Sequence, residues 1–183
     1  MVKALFWNSQ GALDPDFNRY LSLFIRQHDP DVVVLMEPRI SGRKADRFIR
    51  RHRFLHSYRV EASGFSGGIW LFWNDLVSMD VFAVSSQFIH ALCTDRNSGV
   101  KSLVTCVYAS PNRLCRNGMW DMLHALAPSS DLPWVIDGDF NAILDSRDRF
   151  GGSSRRTGVC RKFGEFMQQE NMTDMGFQGP RFT

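Results

Sequence analysis

Polar, reactive side chains follow the ends of several apolar runs in this sequence: Asn8 after Trp7, Glu37 after Met36, Tyr108 after Val107, and Asp139 with Asn141 after Ile136. One carboxylate beside neutral oxygen or amide donors, with no Cys/His ligand spacing, suits a hard cation such as Mg²⁺, with Mn²⁺ as a substitute. Magnesium in turn favours phosphate substrates. A second carboxylate across such a site can orient or deprotonate a water. An asparagine can hold that carboxylate and the water, and a tyrosine hydroxyl can steady a phosphate oxygen. Residues 133–144 concentrate this chemistry. Gly138 lets the backbone turn or approach a ligand closely, and Asp139 and Asn141, two apart, point the same way if the chain stays extended. The same residues also describe a strand that closes in an Asp-Gly turn.

The elements that would position these groups read as follows. Residues 2–7 form a first strand, and Asp14 or Asp16 caps a helix with Phe17, Leu21, Phe24 and Ile25 on one face, closed by Asp29-Pro30. Residues 31–36 are apolar after Asp31, as expected of a strand covered on both sides, and end at Glu37-Pro38. Residues 41–52 predict a helix with Ala45, Phe48 and Ile49 inward. Strand-like runs follow at 54–60, 67–73, 79–84, 88–94 and 100–108, a largely antiparallel meander with a hairpin loop at Asp95 to Gly99. Helical periodicity returns near Met119, Met122, Leu123 and Leu126. A short apolar strand at 134–136 stops at Asp137, and a last helix spans about 159–167. Between them, residues 145–158 read as a polar loop. A layered α/β protein gathers strand ends at one edge of its sheets, so the scattered polar residues can converge in one cleft.

The chain has 183 residues and 44% hydrophobic content, enough for one domain with a sizeable core. Its net charge is only +3, but Arg39, Arg43, Lys44, Arg47, Arg50, Arg51 and Arg53 crowd one stretch. Such a block suits a polyanion, and equally a solvated helix face. Cys93, Cys106, Cys115 and Cys160 show no CxxC pairing, and residues 1–3 lead into a strand without an apolar signal segment. The expectation is a reduced, intracellular chain with no membrane span and no small-molecule organic cofactor.

Asn8 in Trp-Asn-Ser-Gln-Gly, Glu37 in Leu-Met-Glu, Ser66-Gly67-Gly68-Ile69, Tyr108 in Val-Tyr-Ala-Ser-Pro, and Asp137-Gly138-Asp139-Phe140-Asn141 stand in the order seen in the endonuclease/exonuclease/phosphatase superfamily. The likeness is greatest to the endonuclease domains of LINE-type (non-long-terminal-repeat) retrotransposons. Residues 173–183 are similar to the segment before that family's Phe-Thr-Trp. The resemblance implies an α+β fold, the deoxyribonuclease-like four-layer α/β/β/α sandwich, and metal-dependent phosphodiester hydrolysis. It makes Glu37 the principal metal ligand, with Asn8 its neighbour in the metal and phosphate site. Asp139 becomes the carboxylate that positions or activates the attacking water, Asn141 its hydrogen-bonding companion, and Tyr108 a contact to the scissile phosphate. Thr183 resembles a substrate-contacting threonine. Such an enzyme nicks chromosomal DNA and leaves a 3′ hydroxyl that primes reverse transcription. Arg39, Arg43, Lys44 and Arg47 would supply a DNA-binding surface, and a DNA substrate would imply nuclear residence.

Two departures accompany the resemblance. The Tyr-x-Pro-Asn motif of some relatives carries one extra residue here, Tyr108-Ala109-Ser110-Pro111-Asn112, so no role passes to Asn112. The Ser-Asp-His motif is not found, and His28, His52, His56, His90 and His124 read as surface or packing residues. The expectation is a single domain over 1–183 that lacks the C-terminal part of the fold and exposes unpaired sheet edges. Three functions follow: a Mg²⁺-dependent DNA-nicking endonuclease of retrotransposon origin, an inactive remnant that at most binds nucleic acid, or a phosphatase-type hydrolase on the same scaffold.

Overall fold

Two five-residue apolar runs, Val32–Met36 and Ile69–Trp73, form the inner strands of one sheet. The computed structural model describes residues 1–52, 54–62, 67–129, 131–145 and 159–176. In chain order the elements are β1 (Ala4–Asn8), α1 (Pro15–His28), β2 (Val32–Met36), α2 (Gly42–Arg51), β3 (His56–Val60), β4 (Ile69–Trp73), β5 (Val77–Ser85), β6 (Phe88–Asp95), β7 (Lys101–Tyr108), α3 (Arg113–Ala125), β8 (Trp134–Asp139) and α4 (Arg161–Gln169). The class is mixed α+β, with two four-stranded sheets and four helices among the described residues.

Both sheets and the first two helices belong to one compact unit, residues 1–109 and 130–139. The first sheet has the order β1-β2-β4-β3 and the second β5-β6-β7-β8. Each contains one parallel pair, β1 with β2 and β7 with β8, and every other pairing is antiparallel. Parallel pairing matters for function because it sets two strand C-termini side by side. Asn8 is thus level with Met36, and Tyr108 with Asp139.

Side-chain alternation sorts the core. Val32, Val34, Met36, Ile69 and Leu71 face the second sheet and meet Val77, Met79, Ile89, Ala91, Cys93, Cys106 and Tyr108. Val33, Leu35, Trp70 and Phe72 face the helices, where Phe17 and Leu21 of α1 and Ala45, Phe48 and Ile49 of α2 cover them. Fully burying Phe72 stabilises the fold by about 1.5–3 kcal/mol. Asp14 caps α1 by accepting from the Asp16 and Phe17 amides at 2.8 and 3.0 Å, and Asp29 ends it in the left-handed region at φ 46°.

The second unit, residues 110–129 and 140–183, contains α3 and α4. The Trp120 ring stacks on Phe163 at 4.5 Å, and Phe140 stacks on Phe163 at 4.9 Å. Lys162 pairs with Asp121 at 2.8 Å. Asn112 caps α3, accepting from the Leu114 and Cys115 amides at 2.9 and 3.3 Å.

Three local readings change. Phe24, predicted to face inward, is exposed and meets Trp7 edge-on at 5.2 Å, because its position on α1 falls at the margin of the apolar stripe. The strand predicted to stop at Ile136 continues through Gly138 to Asp139, and it is an edge strand with Val135 exposed. The meander is divided, β3 and β4 joining the first sheet and β5 to β7 the second. Among the described residues, β1 and β8 each pair on one side only. Thr173 to Gly176 lie in no helix or strand. Arg53, Ser66, most of the 145–158 loop and Thr183 lie outside the described residues. No described helix is long and apolar enough to cross a membrane.

Candidate active site

The ends of β1 and β2 are clamped before any site side chain is considered. Met36 O accepts from both the Ser9 amide and the Ser9 hydroxyl at 2.8 Å. The chain then turns sharply: Glu37 and Arg39 both adopt the left-handed region, at φ 50° and 56°, a conformation that costs a non-glycine residue on the order of 1 kcal/mol or more. The Glu37 amide donates to Gly68 O at 3.2 Å, and Pro38 O accepts from Ala12 at 2.9 Å. Gly68 is at φ 89°, and a Cβ there would lie 3.2–3.3 Å from Ala62, Pro38 and Val60. The backbone carrying Glu37 is therefore held from several directions.

The ends of β7 and β8 are fixed comparably. Tyr108 is buried, its amide donating to Gln87 O at 2.9 Å, and the Ala109 amide donates to Asp139 O at 2.8 Å. Gly138 sits at φ 138°, and a Cβ at this position would be 1.9 Å from Val107 O. Only glycine lets β8 lie so close to β7 and still present Asp139 at its end.

On these supports four side chains from four strand ends meet. The Tyr108 hydroxyl donates to Glu37 Oε1 at 2.6 Å, and the Asn8 amide Nδ2 donates to Asp139 Oδ2 at 2.8 Å. Arg39 joins them, its Nη2 donating to Glu37 Oε2 at 2.7 Å. Asn8 Oδ1 accepts from the Gln10 amide at 3.3 Å. Burial pushes the Glu37 carboxyl up, but the Tyr108 hydroxyl, the Arg39 guanidinium and the Asn8 amide outweigh it and hold it below the usual range. Burial, reinforced by the Glu37 and Asp139 carboxylates, pushes the Tyr108 phenol well above its usual range. Glu37 is thereby kept as an ionised acceptor and Tyr108 as a neutral donor.

This donor set fits a hard divalent cation. Glu37 and Asp139 offer carboxylate oxygens, Asn8 an amide oxygen, and the Arg39 guanidinium already stands against Glu37 Oε2 as a cation. Among the described residues, no group of three or more His, Cys, Asp or Glu side chains gathers as a metal cage. A site of this kind suits an ion that keeps most of its waters.

Arg43, Lys44 and Arg47 are exposed on α2, opposite buried Ala45, Phe48 and Ile49. Asn141 belongs to the second unit and is left-handed at φ 45°. The histidines have other partners: His28 stacks on Phe24, His52 packs on Phe48, His56 pairs with Asp75, His90 with Thr105 and His124 with Glu170. The sequence reading missed the engagement of Arg39 with Glu37. The available signal was the Glu-Pro-Arg spacing, which turns the arginine back only because of two left-handed residues.

The sequence model described as the Endonuclease/Exonuclease/phosphatase family matches residues 5–179. No curated protein matches. Among solved structures, the chain is similar to an AP endonuclease from Leishmania major, with TM-score 0.70, 17% identity, and coverage of 93% of this chain and 67% of that one. An AP endonuclease from Archaeoglobus fulgidus gives 0.68 at 16% identity over 92% and 71% of the two chains. The human Nocturnin catalytic domain gives 0.54 at 18% identity over 78% and 64%. The shared fold is the deoxyribonuclease-like one, and the chain spans about two thirds of the length of these structures.

Proposed function

We infer the function from one premise: this chain belongs to the endonuclease/exonuclease/phosphatase family, whose sequence model matches residues 5–179. We propose that it is a Mg²⁺-dependent phosphodiester hydrolase that nicks DNA, of the retrotransposon type that its motifs resemble. The observation that carries this reading is the convergence of Glu37, Tyr108, Asn8 and Asp139 at the C-terminal ends of two parallel strand pairs in different sheets.

Each residue has work consistent with its contacts. Glu37, kept ionised, with Asn8 and Asp139 beside it, would hold the cation, which when bound would neutralise charge on the phosphate. Asn8 orients Asp139 through one of its oxygens, and the Asp139 carboxylate would accept a proton from the attacking water as the water oxygen bonds to phosphorus. The bond from phosphorus to the 3′ oxygen breaks, and that oxygen takes a proton from solvent to become the free hydroxyl. Tyr108, neutral across the usual pH range, donates its hydroxyl proton to Glu37 Oε1 and would place the phenol beside the phosphate, holding Glu37 in position for it. The exposed cations of α2 support DNA over a small phosphate ester, since a polyanion rewards a row of charges. Two of the fold neighbours are AP endonucleases, which supports a nuclease in the same direction.

A second reading, a nucleic-acid binder without hydrolysis, is favoured by the engagement of all five histidines away from these residues. The readings separate on small chromogenic esters and duplex DNA. Hydrolysis of bis(p-nitrophenyl) phosphate exceeding that of p-nitrophenyl phosphate, with EDTA abolishing it, supports the diesterase. Preference for the monoester supports a phosphatase, and salt-sensitive DNA binding without hydrolysis supports the binder.

A further inference from the structure

The geometry points to Arg39 as a built-in counter-cation that competes with the divalent ion for Glu37 and so sets the affinity of the site for metal. The inference rests on the reading that Glu37 holds that ion.

Both oxygens of Glu37 are taken. Tyr108 occupies Oε1 with a neutral hydroxyl, whereas Arg39 occupies Oε2 with a full positive charge at 2.7 Å. A cation approaching Glu37 meets a neutral donor on one side and a like charge on the other. Displacing Tyr108 would strand a buried hydroxyl. Displacing Arg39 strands nothing, because its side chain is 46% exposed while that of Glu37 is 17% exposed. The guanidinium can return to water on its own stem.

The backbone supports this division. Pro38 O is bonded to Ala12, and Arg39 follows in the left-handed region at φ 56°, which returns its side chain toward Glu37. The main chain is held while the guanidinium remains a movable group. In the absence of metal the arginine neutralises Glu37, and its removal leaves an ionised carboxylate with a vacant lone pair. A partly exposed ion pair of this kind corresponds to roughly a three- to ten-fold effect on competing binding.

The test is Mn²⁺ binding to the whole chain, read by the electron paramagnetic resonance of free Mn²⁺, in wild type, Arg39→Gln, Arg39→Lys and Glu37→Gln. Circular dichroism melts confirm that each variant is folded. The expected result is about three- to ten-fold tighter binding in Arg39→Gln, near-wild-type binding in Arg39→Lys, and loss of binding in Glu37→Gln. Unchanged or weaker binding in folded Arg39→Gln, with binding still lost in Glu37→Gln, overturns the role of Arg39 alone. Binding that survives Glu37→Gln overturns the metal site itself and the competition with it.

Discussion

The Asn8 amide donates to Asp139 Oδ2 at 2.8 Å across a sequence separation of 131 residues. Each residue is the last of its strand, and the strands belong to different sheets. The bond therefore reports that the two sheets present the same edge of their parallel pairs to one place. It also divides labour between the carboxylates: Asp139 is oriented by a neutral amide, and Glu37 is held ionised chiefly by a phenol and a guanidinium.

Asn8→Ala tests the first half of that division. The substitution leaves Asp139 without its amide donor, and the expected outcome is a loss of diester hydrolysis of about 10- to 100-fold. The stability cost should be only about 1 kcal/mol, because the site is partly open to water. Steady-state kinetics beside urea unfolding checks both. Equal activity in the variant would remove Asn8 from the mechanism.

Glu37 predicts the acid limb of stability. Its folded pKa lies below the unfolded value, so its contribution is complete above the ordinary glutamate range, near about pH 4.3, and is lost as pH falls through the lower folded value. Wild type should lose stability with acid more steeply than Glu37→Gln. Carbon-13 titration of the side-chain carboxyl should place Glu37 below the ordinary range in wild type and higher in Tyr108→Phe, which removes a donor. An ordinary, Tyr108-independent midpoint would refute the stated cause.

Gly138→Ala tests how β8 delivers Asp139. The added methyl would meet Val107 O at 1.9 Å in a backbone region that L-residues avoid, so β7 and β8 must separate. The expected cost is about 2 kcal/mol or more, with hydrolysis falling beyond what that loss of folded protein explains. Gly118→Ala, inside α3 with open space at its Cβ, is the contrasting substitution and should be neutral or mildly stabilising.

The α2 cations predict salt dependence. Replacing Arg43, Lys44 and Arg47 with serine should weaken DNA binding at low salt and reduce the slope of log affinity against log salt by up to about 3. All three are exposed, so folding should be little changed. A binding isotherm series from 50 to 200 mM salt, a range over which phosphate contacts register strongly, decides it. An unchanged slope would place the DNA surface elsewhere.

Much of this arrangement is legible before any coordinates. β2 reads as doubly covered because Val32 through Met36 offer no polar face, and α2 reads as amphipathic because Ala45, Phe48 and Ile49 share one side. Asn8, Glu37, Tyr108 and Asp139 stand out because a polar residue closing an apolar run has few structural reasons to be there. What escapes is set by long-range geometry. An edge position depends on what a strand pairs with, which the apolar letters of Trp134 to Ile136 do not encode. Phe24 is apolar yet exposed, since the face of α1 that the sheet covers is narrower than its apolar stripe. Arg39 looked like one more member of a basic block, and only the left-handed turns at Glu37 and Arg39 turn it back onto the carboxylate.

The most direct measurement of the central claim is nicking of a supercoiled plasmid by the purified protein, with Mg²⁺ or with EDTA, beside Glu37→Ala and Asp139→Ala. Relaxation to the open circle that requires Mg²⁺ and vanishes in both variants is the predicted result. Folded wild-type protein that leaves the plasmid supercoiled, or nicking that persists in both variants, would contradict it.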